Sequence, residues 1–219
     1  MCGRFLLFSS GDAIARHFAL EAVPDVAPRY NVAPTQPVLC VGLSREGKTA
    51  PARMRWGLVP PWATEPRPAL INAKVETAAD KPAFAEALRQ RRCLVPADGF
   101  FEWGQLPGGK RPYHFRLGGG LFAFAGLWGS WRPPSGPPLL GCALLTTEAN
   151  AAVRPIHARM PVILPPERYA TWIDCGLDDP AAVLALLAGP SPADDLEASP
   201  VGTYVNNPKN EGPECLQAP

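Results

Sequence analysis

Short apolar segments bounded by Gly or Pro recur along most of the chain, and they predict β-strands. An opening strand is expected over residues 4–8. Further strands are expected over residues 38–43, 54–58, 93–96, 113–117, 121–127, 141–146 and 161–164. Because these segments are short and separated by turn residues, they are typical of a curled or barrel-like sheet.

Apolar residues with helical spacing predict four helices between or after the strands. They are expected after a cap at Ser9 or Ser10, over residues 80–92 with Asp80 as cap, over 166–174, and over 180–187. Strands and helices do not alternate strictly, so the predicted fold class is α+β with helices flanking the sheet. The length of 219 residues suits a single domain over residues 1–219, with a loosely ordered tail from about residue 213.

Composition excludes several classes of protein. With 47% hydrophobic and 19% charged residues, the chain is globular, and its longest apolar runs are too short for a bilayer or a signal peptide. We therefore expect a cytoplasmic protein without a membrane partner. Six cysteines contain no Cys-x-x-Cys pair, so neither a metal site nor a cofactor is expected. A monomer is expected because no heptad pattern predicts assembly.

Charge is distributed unevenly along the chain. Residues 1–92 carry 13 Lys and Arg against 8 Asp and Glu, whereas the remainder carries 8 against 12. The formal net charge of +1 argues against a globally basic nucleic-acid-binding protein. It leaves room for a local basic surface on a neutral protein.

The residue after the initiator methionine is the first chemical candidate. Removal of Met1 would make Cys2 the N-terminus, with an amine and a thiol on one residue. These groups titrate near about 7.7–8.0 and about 8.5, so both are partly available at neutral pH. Such an aminothiol can attack an aldehyde, first through the amine and then through the thiol, to close a thiazolidine ring. The competing interpretation of Cys2 is a small residue that follows Met by chance.

Four further residues are candidates from their surroundings. Glu102 lies between large apolar residues, where desolvation would raise its pKa, although on a strand it could also face solvent. His157 lies between a Pro-bounded turn and a strand, next to Arg159, where an anion could bind. Asn72 is either a hydrogen-bond donor to substrate or a turn residue. Trp62 follows two prolines and is expected to be exposed, where it could stack on bases.

Several motifs, in order, resemble the SRAP family, the SOS response-associated peptidases. They are the Met1-Cys2-Gly3-Arg4-Phe5 opening, the segments at 29–34, 56–58, 61–62, 71–77 and 101–103, residues 156–161, and residues 205–212. The order of these blocks over residues 1 to about 217 makes the resemblance specific.

The resemblance implies a DNA damage response protein that crosslinks abasic sites in single-stranded DNA, including sites at junctions with duplex DNA. It implies that Cys2 captures the ring-opened sugar, with Asn72, Glu102 and His157 as the other catalytic residues. It also implies a DNA-binding set: Arg4, Arg159 and Lys209 on phosphates, Trp62 as a wedge, and Thr146 and Asn207 as polar contacts. Lys74 stands where the family commonly has Arg, which keeps the cation but loses bidentate geometry.

Three other functions fit parts of the sequence. A class II glutamine amidotransferase also begins Met-Cys-Gly, but this chain has no Asn-Gly pair for an oxyanion hole. A thiol peptidase that removes its own leader could use Cys2, Glu102 and His157. A non-catalytic reader of single-stranded DNA would bind equally well after Cys2→Ala.

Overall fold

Strands dominate the architecture in this computed structural model, which describes residues 2–66, 69–106, 109–189 and 191–219. The strands are β1 Arg4–Leu7, β2 Arg29–Val32, β3 Pro37–Leu43, β4 Thr49–Trp56, β5 Asn72–Lys74, β6 Arg92–Ala97, β7 Gly99–Leu106, β8 Gly109–Leu117, β9 Phe122–Trp131, β10 Leu139–Glu148, β11 Arg159–Pro161, β12 Ile163–Leu164 and β13 Leu196–Pro200. The α-helices are α1 Gly11–His17, α2 Val75–Ala78, α3 Pro82–Gln90, α4 Tyr169–Ile173 and α5 Pro180–Ala185. Short 3-10 helices cover Pro166–Arg168, Pro192–Asp195, Thr203–Asn206 and Pro213–Leu216.

Five strands close into a barrel in the order β10, β4, β3, β6, β9 and back to β10. Only the β10–β4 pair in this ring is parallel. Strand β10 is longer than the barrel needs, and its later residues pair with β5 on one side and β11 on the other. The predicted α+β class and barrel-like sheet are confirmed, and the extension of β10 brings β5 and β11 close together.

A second, antiparallel sheet runs in the order β13, β8, β7, β1, β2. Aromatic side chains join it to the barrel. Phe5 on β1 packs edge-on against Trp56 of β4 and Phe124 of β9, with ring centroids 5.1 and 5.8 Å apart. All three rings are buried. Since buried aromatic pairs add geometric preference to area burial, this contact fixes how β1 lies against the barrel.

Local signals placed several helix ends correctly. Ser10 caps α1 through its Oγ, and Asp179 caps α5 through a carboxylate oxygen 2.8 Å from the Ala182 N–H. Helix α3 differs from its prediction, because Lys81 rather than Asp80 precedes it and it ends at Gln90. Residue 92, expected at the end of that helix, starts β6 instead.

The side chain of Arg92 is buried and donates to five main-chain carbonyls, two of them at the C-terminal end of α3 and three in the segment 172–177. The cation therefore does meet the negative end of the α3 dipole, but from a strand.

The C-terminal tail is packed, in contrast to the loose order expected from about residue 213. Cys215 is fully buried beside Leu6 and Phe101, and the Gly202 N–H donates to the Gln217 carbonyl at 2.8 Å. The tail lies against β1 and β7, so it shields one face of the second sheet. Among the described residues no helix could span a membrane, the longest being α3 with nine residues.

Candidate active site

The start of β1 and the middle of β7 form one wall of the candidate site. The two strands pair in antiparallel register, with Arg4 opposite Phe101. Continuing this register places Glu102 beside the residues that immediately precede Arg4. Cys2 and Glu102, which are 100 positions apart in the sequence, are neighbours because of this strand pairing.

Cys2 is fully buried, and its thiol lies 3.8 Å from the Arg4 carbonyl. Burial raises the pKa of the Cys2 thiol well above its usual range, and the negative charge of Glu102 raises it further. The sequence predicts a thiol that is partly ionised at neutral pH, and the structure differs because it removes the thiol from water. Met1, whose removal the sequence analysis expects, lies outside the described residues.

Asn72 reaches the same position from the barrel side. It begins β5, which pairs in parallel with the extension of β10, and its Nδ2 donates to the Cys2 carbonyl at 2.9 Å. The Asn72 Oδ1 atom is buried and accepts no hydrogen bond from the described residues. The indole N–H of Trp56 donates to the carbonyl of Ile71, the residue before β5, at 3.0 Å and so fixes the start of that strand. Asn72 therefore lies on a strand beside Cys2 and not in a turn.

Glu102 and His157 lie within ion-pair distance of each other at the candidate site. Glu102 is only 3% exposed, and its Oε1 lies 3.9 Å from His157 Nδ1. Burial raises the pKa of Glu102, as the sequence analysis expects, while a positive charge on His157 opposes the rise. Glu102 faces the interior, so the alternative in which this carboxylate faces solvent is wrong. A buried carboxyl with a raised pKa beside an imidazole is suited to proton transfer.

The turn that carries His157 packs closely on β7. The main-chain N–H groups of Ile156 and His157 both donate to the Val153 carbonyl at 2.9 Å. Gly104 of β7 faces this turn, and a Cβ at that position would lie 3.4 Å from Ile156 Cγ2. Two main-chain groups of Arg159 lie close to one ring nitrogen, His157 Nδ1: the N–H at 3.0 Å and the carbonyl oxygen at 2.9 Å. The ring orientation is thus set by main-chain atoms.

The side chain of Arg159 reaches across strand β10, from β11 on one side to α2 on the other. Its guanidinium makes two hydrogen bonds to Glu76 of α2, at 2.6 and 2.9 Å, and a third to the Thr146 carbonyl at 2.6 Å. Its side chain is 16% exposed. Thr146 itself is fully buried and directs its hydroxyl toward the Ala73 carbonyl at 3.4 Å. The family resemblance implies Thr146 at a DNA surface, but the residue is buried because β10 pairs at this position with β5 on one side and β11 on the other.

Arg4 also faces inward more than expected for a phosphate ligand. Its guanidinium donates to Asn31 Oδ1 at 2.7 Å, to the Val205 carbonyl at 2.8 Å and to the Asn206 carbonyl at 3.2 Å. Asn31, fully buried on β2, donates to carbonyls of the same C-terminal segment: Val205, Asn207 and Asn210 at 2.9 to 3.1 Å. We call residues 203–211 the C-terminal strap. Arg4 and Asn31 hold this strap beside the site.

Replacing Asn31 with alanine should destabilise the strap. The change leaves an Arg4 N–H and several carbonyls without their partner, and each such loss costs about 1–3 kcal/mol when the group stays buried. We expect a lower free energy of unfolding in denaturant titration and faster tryptic cleavage after Lys209. Asn150→Ala is the matched control, because Asn150 bonds the Ala193 carbonyl instead. Equal cleavage in both variants would contradict the role of Asn31.

The remaining predicted DNA-binding residues lie on the surface. Trp62 is 60% exposed, as predicted, on a turn that Trp131 holds through a 2.7 Å hydrogen bond to the Ala63 carbonyl. Lys74 is exposed at the end of β5. On the strap, Asn207 and Lys209 are exposed, and the Asn207 side chain accepts the Lys209 N–H at 3.1 Å. These contacts with DNA stay predictions.

Sequence reasoning missed two residues that organise the site, Asn31 and Glu76. Both lie inside motifs that carry the family resemblance, residues 29–34 and 71–77, but their partners are 174 and 83 positions away in the chain. Polarity within a strand-like segment was the only available signal. Within the described ranges, no three or more His, Cys, Asp or Glu side chains are grouped so that they could hold a metal ion.

The fold and site define a class: a strand-rich domain with a cysteine next to the initiator methionine and an Asn, a Glu and a His gathered around it. A family model for the SOS response-associated peptidases matches residues 1–208. The chain therefore belongs to the SRAP family, as the sequence motifs indicated.

Named relatives and solved structures agree with this assignment. The chain is 42% identical to the abasic site processing protein YoqW of Bacillus subtilis, over the full length of both. It is 34% identical to the abasic site processing protein HMCES of Gallus gallus, over 74% of this chain and 56% of that protein. Among solved structures, a phage-related protein of Bordetella bronchiseptica is 30% identical with a TM-score of 0.76, covering 91% of this chain and 94% of that one. A Bacteroides thetaiotaomicron protein shares the fold at a TM-score of 0.86 and 21% identity, with both chains fully covered.

Proposed function

We propose that this protein processes abasic sites in DNA by capturing them covalently through Cys2 once Met1 is removed. One observation carries the proposal: Asn72 donates to the Cys2 carbonyl, and Glu102 lies beside Cys2 and within ion-pair distance of His157, although these residues come from separate strands and a turn. The names of the relatives supply the substrate, DNA with abasic sites.

The reaction follows from the aminothiol. The free α-amine of Cys2 attacks the aldehyde carbon of the ring-opened sugar and, with loss of one water molecule, forms a Schiff base. The Cys2 thiol then adds to the C=N bond, its proton passes to nitrogen, and a thiazolidine ring links the protein to DNA. No oxidant or other reactant is required.

The neighbouring side chains have distinct tasks in this reaction. Glu102, with its raised pKa, exchanges protons with the amine, the thiol and the leaving water. His157 lies within ion-pair distance of Glu102 and protonates or orients the opened sugar. Asn72 fixes the Cys2 main chain through its Nδ2, while its buried Oδ1 remains able to accept a hydrogen bond from the substrate.

The DNA strand would pass over the surface that surrounds this site. Trp62 is exposed enough to stack on a base or to wedge against the end of a duplex. Lys74 and Lys209 offer cations to phosphates, and Asn207 offers an amide. Single-stranded DNA, including its junctions with duplex, is the substrate that this arrangement supports, and a protein monomer carries every residue named.

Intact-mass analysis of the purified protein with an abasic single strand tests this function. We expect a chain that lacks Met1 to gain the mass of the oligonucleotide minus one water molecule. An undamaged strand of the same sequence should give no adduct. If a chain with Cys2 at its terminus forms no adduct, covalent capture is wrong, and the non-covalent DNA reader or the thiol peptidase becomes the better proposal.

A further inference from the structure

Glu76 stands on the segment that also carries Asn72, but on the far side of β10 from His157. Asn72 begins β5, and Glu76 follows in α2, which continues from the end of β5. Arg159, at the start of β11, pairs with the other side of β10 opposite Glu148. The Glu76–Arg159 ion pair therefore ties together the two strands that bring Asn72 and His157 to Cys2.

This ion pair differs from an ordinary surface pair. Exposed pairs contribute little to stability, since solvent screens them. Arg116 and Glu197, which pair across β8 and β13, are of that kind, with side chains 58% and 55% exposed. The Glu76 side chain is 45% exposed, but the Arg159 side chain is only 16% exposed, and its guanidinium binds both oxygens of Glu76 as well as the Thr146 carbonyl. A largely buried guanidinium depends on its carboxylate far more than an exposed one does.

The Glu76–Arg159 ion pair acts on His157 through the main chain of Arg159. The Arg159 N–H and carbonyl lie 3.0 and 2.9 Å from His157 Nδ1, so any shift of residue 159 turns the imidazole. Glu102 also faces this nitrogen, with its Oε1 3.9 Å from Nδ1. A displacement of about 1 Å at such a group can slow a reaction by about 100-fold.

We propose that Glu76 is a positioning residue for abasic-site capture: it holds Arg159, and through the Arg159 main chain it orients His157 toward Glu102 and Cys2. Glu76 touches neither the substrate nor the reacting atoms. The inference rests on the proposed function and deepens it, and it assigns Arg159 to the framework of the site. The pair persists at neutral pH, because the hydrogen bonds from Arg159 hold the pKa of Glu76 below its usual range.

The competing role for Glu76 makes the opposite prediction. If Arg159 is a phosphate ligand, as the sequence motifs implied, Glu76 occupies its guanidinium in place of a phosphate. Removing the carboxylate would then free a cation, tighten binding of undamaged single-stranded DNA, and steepen its salt dependence by about 0.7 in the log–log slope.

The test measures rate and affinity separately in Glu76→Gln, with Glu197→Gln as the matched control that also breaks an Arg–Glu pair. For Glu76→Gln we expect the limiting rate of adduct formation at saturating abasic DNA to fall about 10-fold to 100-fold. The dissociation constant for an undamaged strand should not change, and the pH profile of the rate should shift because His157 is reoriented. Glu197→Gln should match the wild type in rate, affinity and pH profile.

A second variant and a folding measurement complete the test. Glu76→Asp, which retains a carboxylate, should recover part of the rate, and thermal melting should show that each variant is folded. An unchanged rate in Glu76→Gln, or tighter binding with a steeper salt slope, overturns the positioning role. Failure of the wild type itself to form an adduct would instead refute the proposed function, so the two failures are distinguishable.

Discussion

Replacing Cys2 with alanine should abolish the heat-stable adduct with abasic DNA. The variant still ends in a free amine once Met1 is removed, so it can form the Schiff base but cannot close the thiazolidine ring. Schiff bases hydrolyse, and the adduct should therefore disappear on heating. Denaturing gel electrophoresis of heated reactions, with the wild type alongside, measures this loss directly.

Borohydride reduction provides the internal control for Cys2→Ala. It should trap the Schiff base as a stable amine in the variant, which shows that the amine and the DNA-binding surface remain intact. Affinity for undamaged single strands should be equal in the two proteins. A heat-stable adduct that survives Cys2→Ala without reduction would place the nucleophile elsewhere in the chain and contradict the proposed chemistry.

Replacing Glu102 with glutamine should slow adduct formation by about 100-fold to 10,000-fold, the usual contribution of a general acid or base. Glutamine preserves the size of the buried side chain but cannot exchange a proton. As a base, Glu102 acts only when it is ionised. The wild-type rate should therefore rise with pH through a midpoint above the ordinary glutamate value of about 4.3, because burial raises the pKa of Glu102.

The pH–rate profile separates Glu102 from the amine. A second rise, near about 7.7–8.0, belongs to the α-amine of Cys2 and should be present in both proteins. The lower rise should be absent in Glu102→Gln. If the variant keeps the lower rise, or reacts at the wild-type rate, Glu102 is not the proton carrier. Single-turnover measurements with a labelled abasic strand over this pH range decide the point.

Local patterns predicted much of the secondary structure, for reasons confined to neighbouring residues. Ser10 and Asp179 cap their helices through atoms a few positions away, and the short apolar runs became strands of the barrel. Strand β2 and strand β5 were missed because they are short and polar. Their polar side chains are retained because they bond distant segments, as Asn31 does with the C-terminal strap.

The candidate site likewise combines features that local sequence predicted with features that depend on long-range contacts. Glu102 was recognisable as a carboxylate in apolar surroundings and Asn72 as a polar residue in a strand-like segment, and the structure brings Asn72 to Cys2 and Glu102 to His157. The burial of Thr146 and the commitment of Arg159 to Glu76 were not recognisable. Both depend on β10, which pairs with strands on either side, and strand pairing joins residues that no local pattern relates.

The amino-acid sequence by itself determined the family, the α+β class and the chemistry available at Cys2, because these depend on residue identity and local order. Only the tertiary structure decided which polar groups are buried and which distant segments they join. That choice rests on burial and long-range pairing. A buried thiol is protonated where an exposed one would be partly ionised, and the Arg159 guanidinium is bound by Glu76, a residue 83 positions away in the chain.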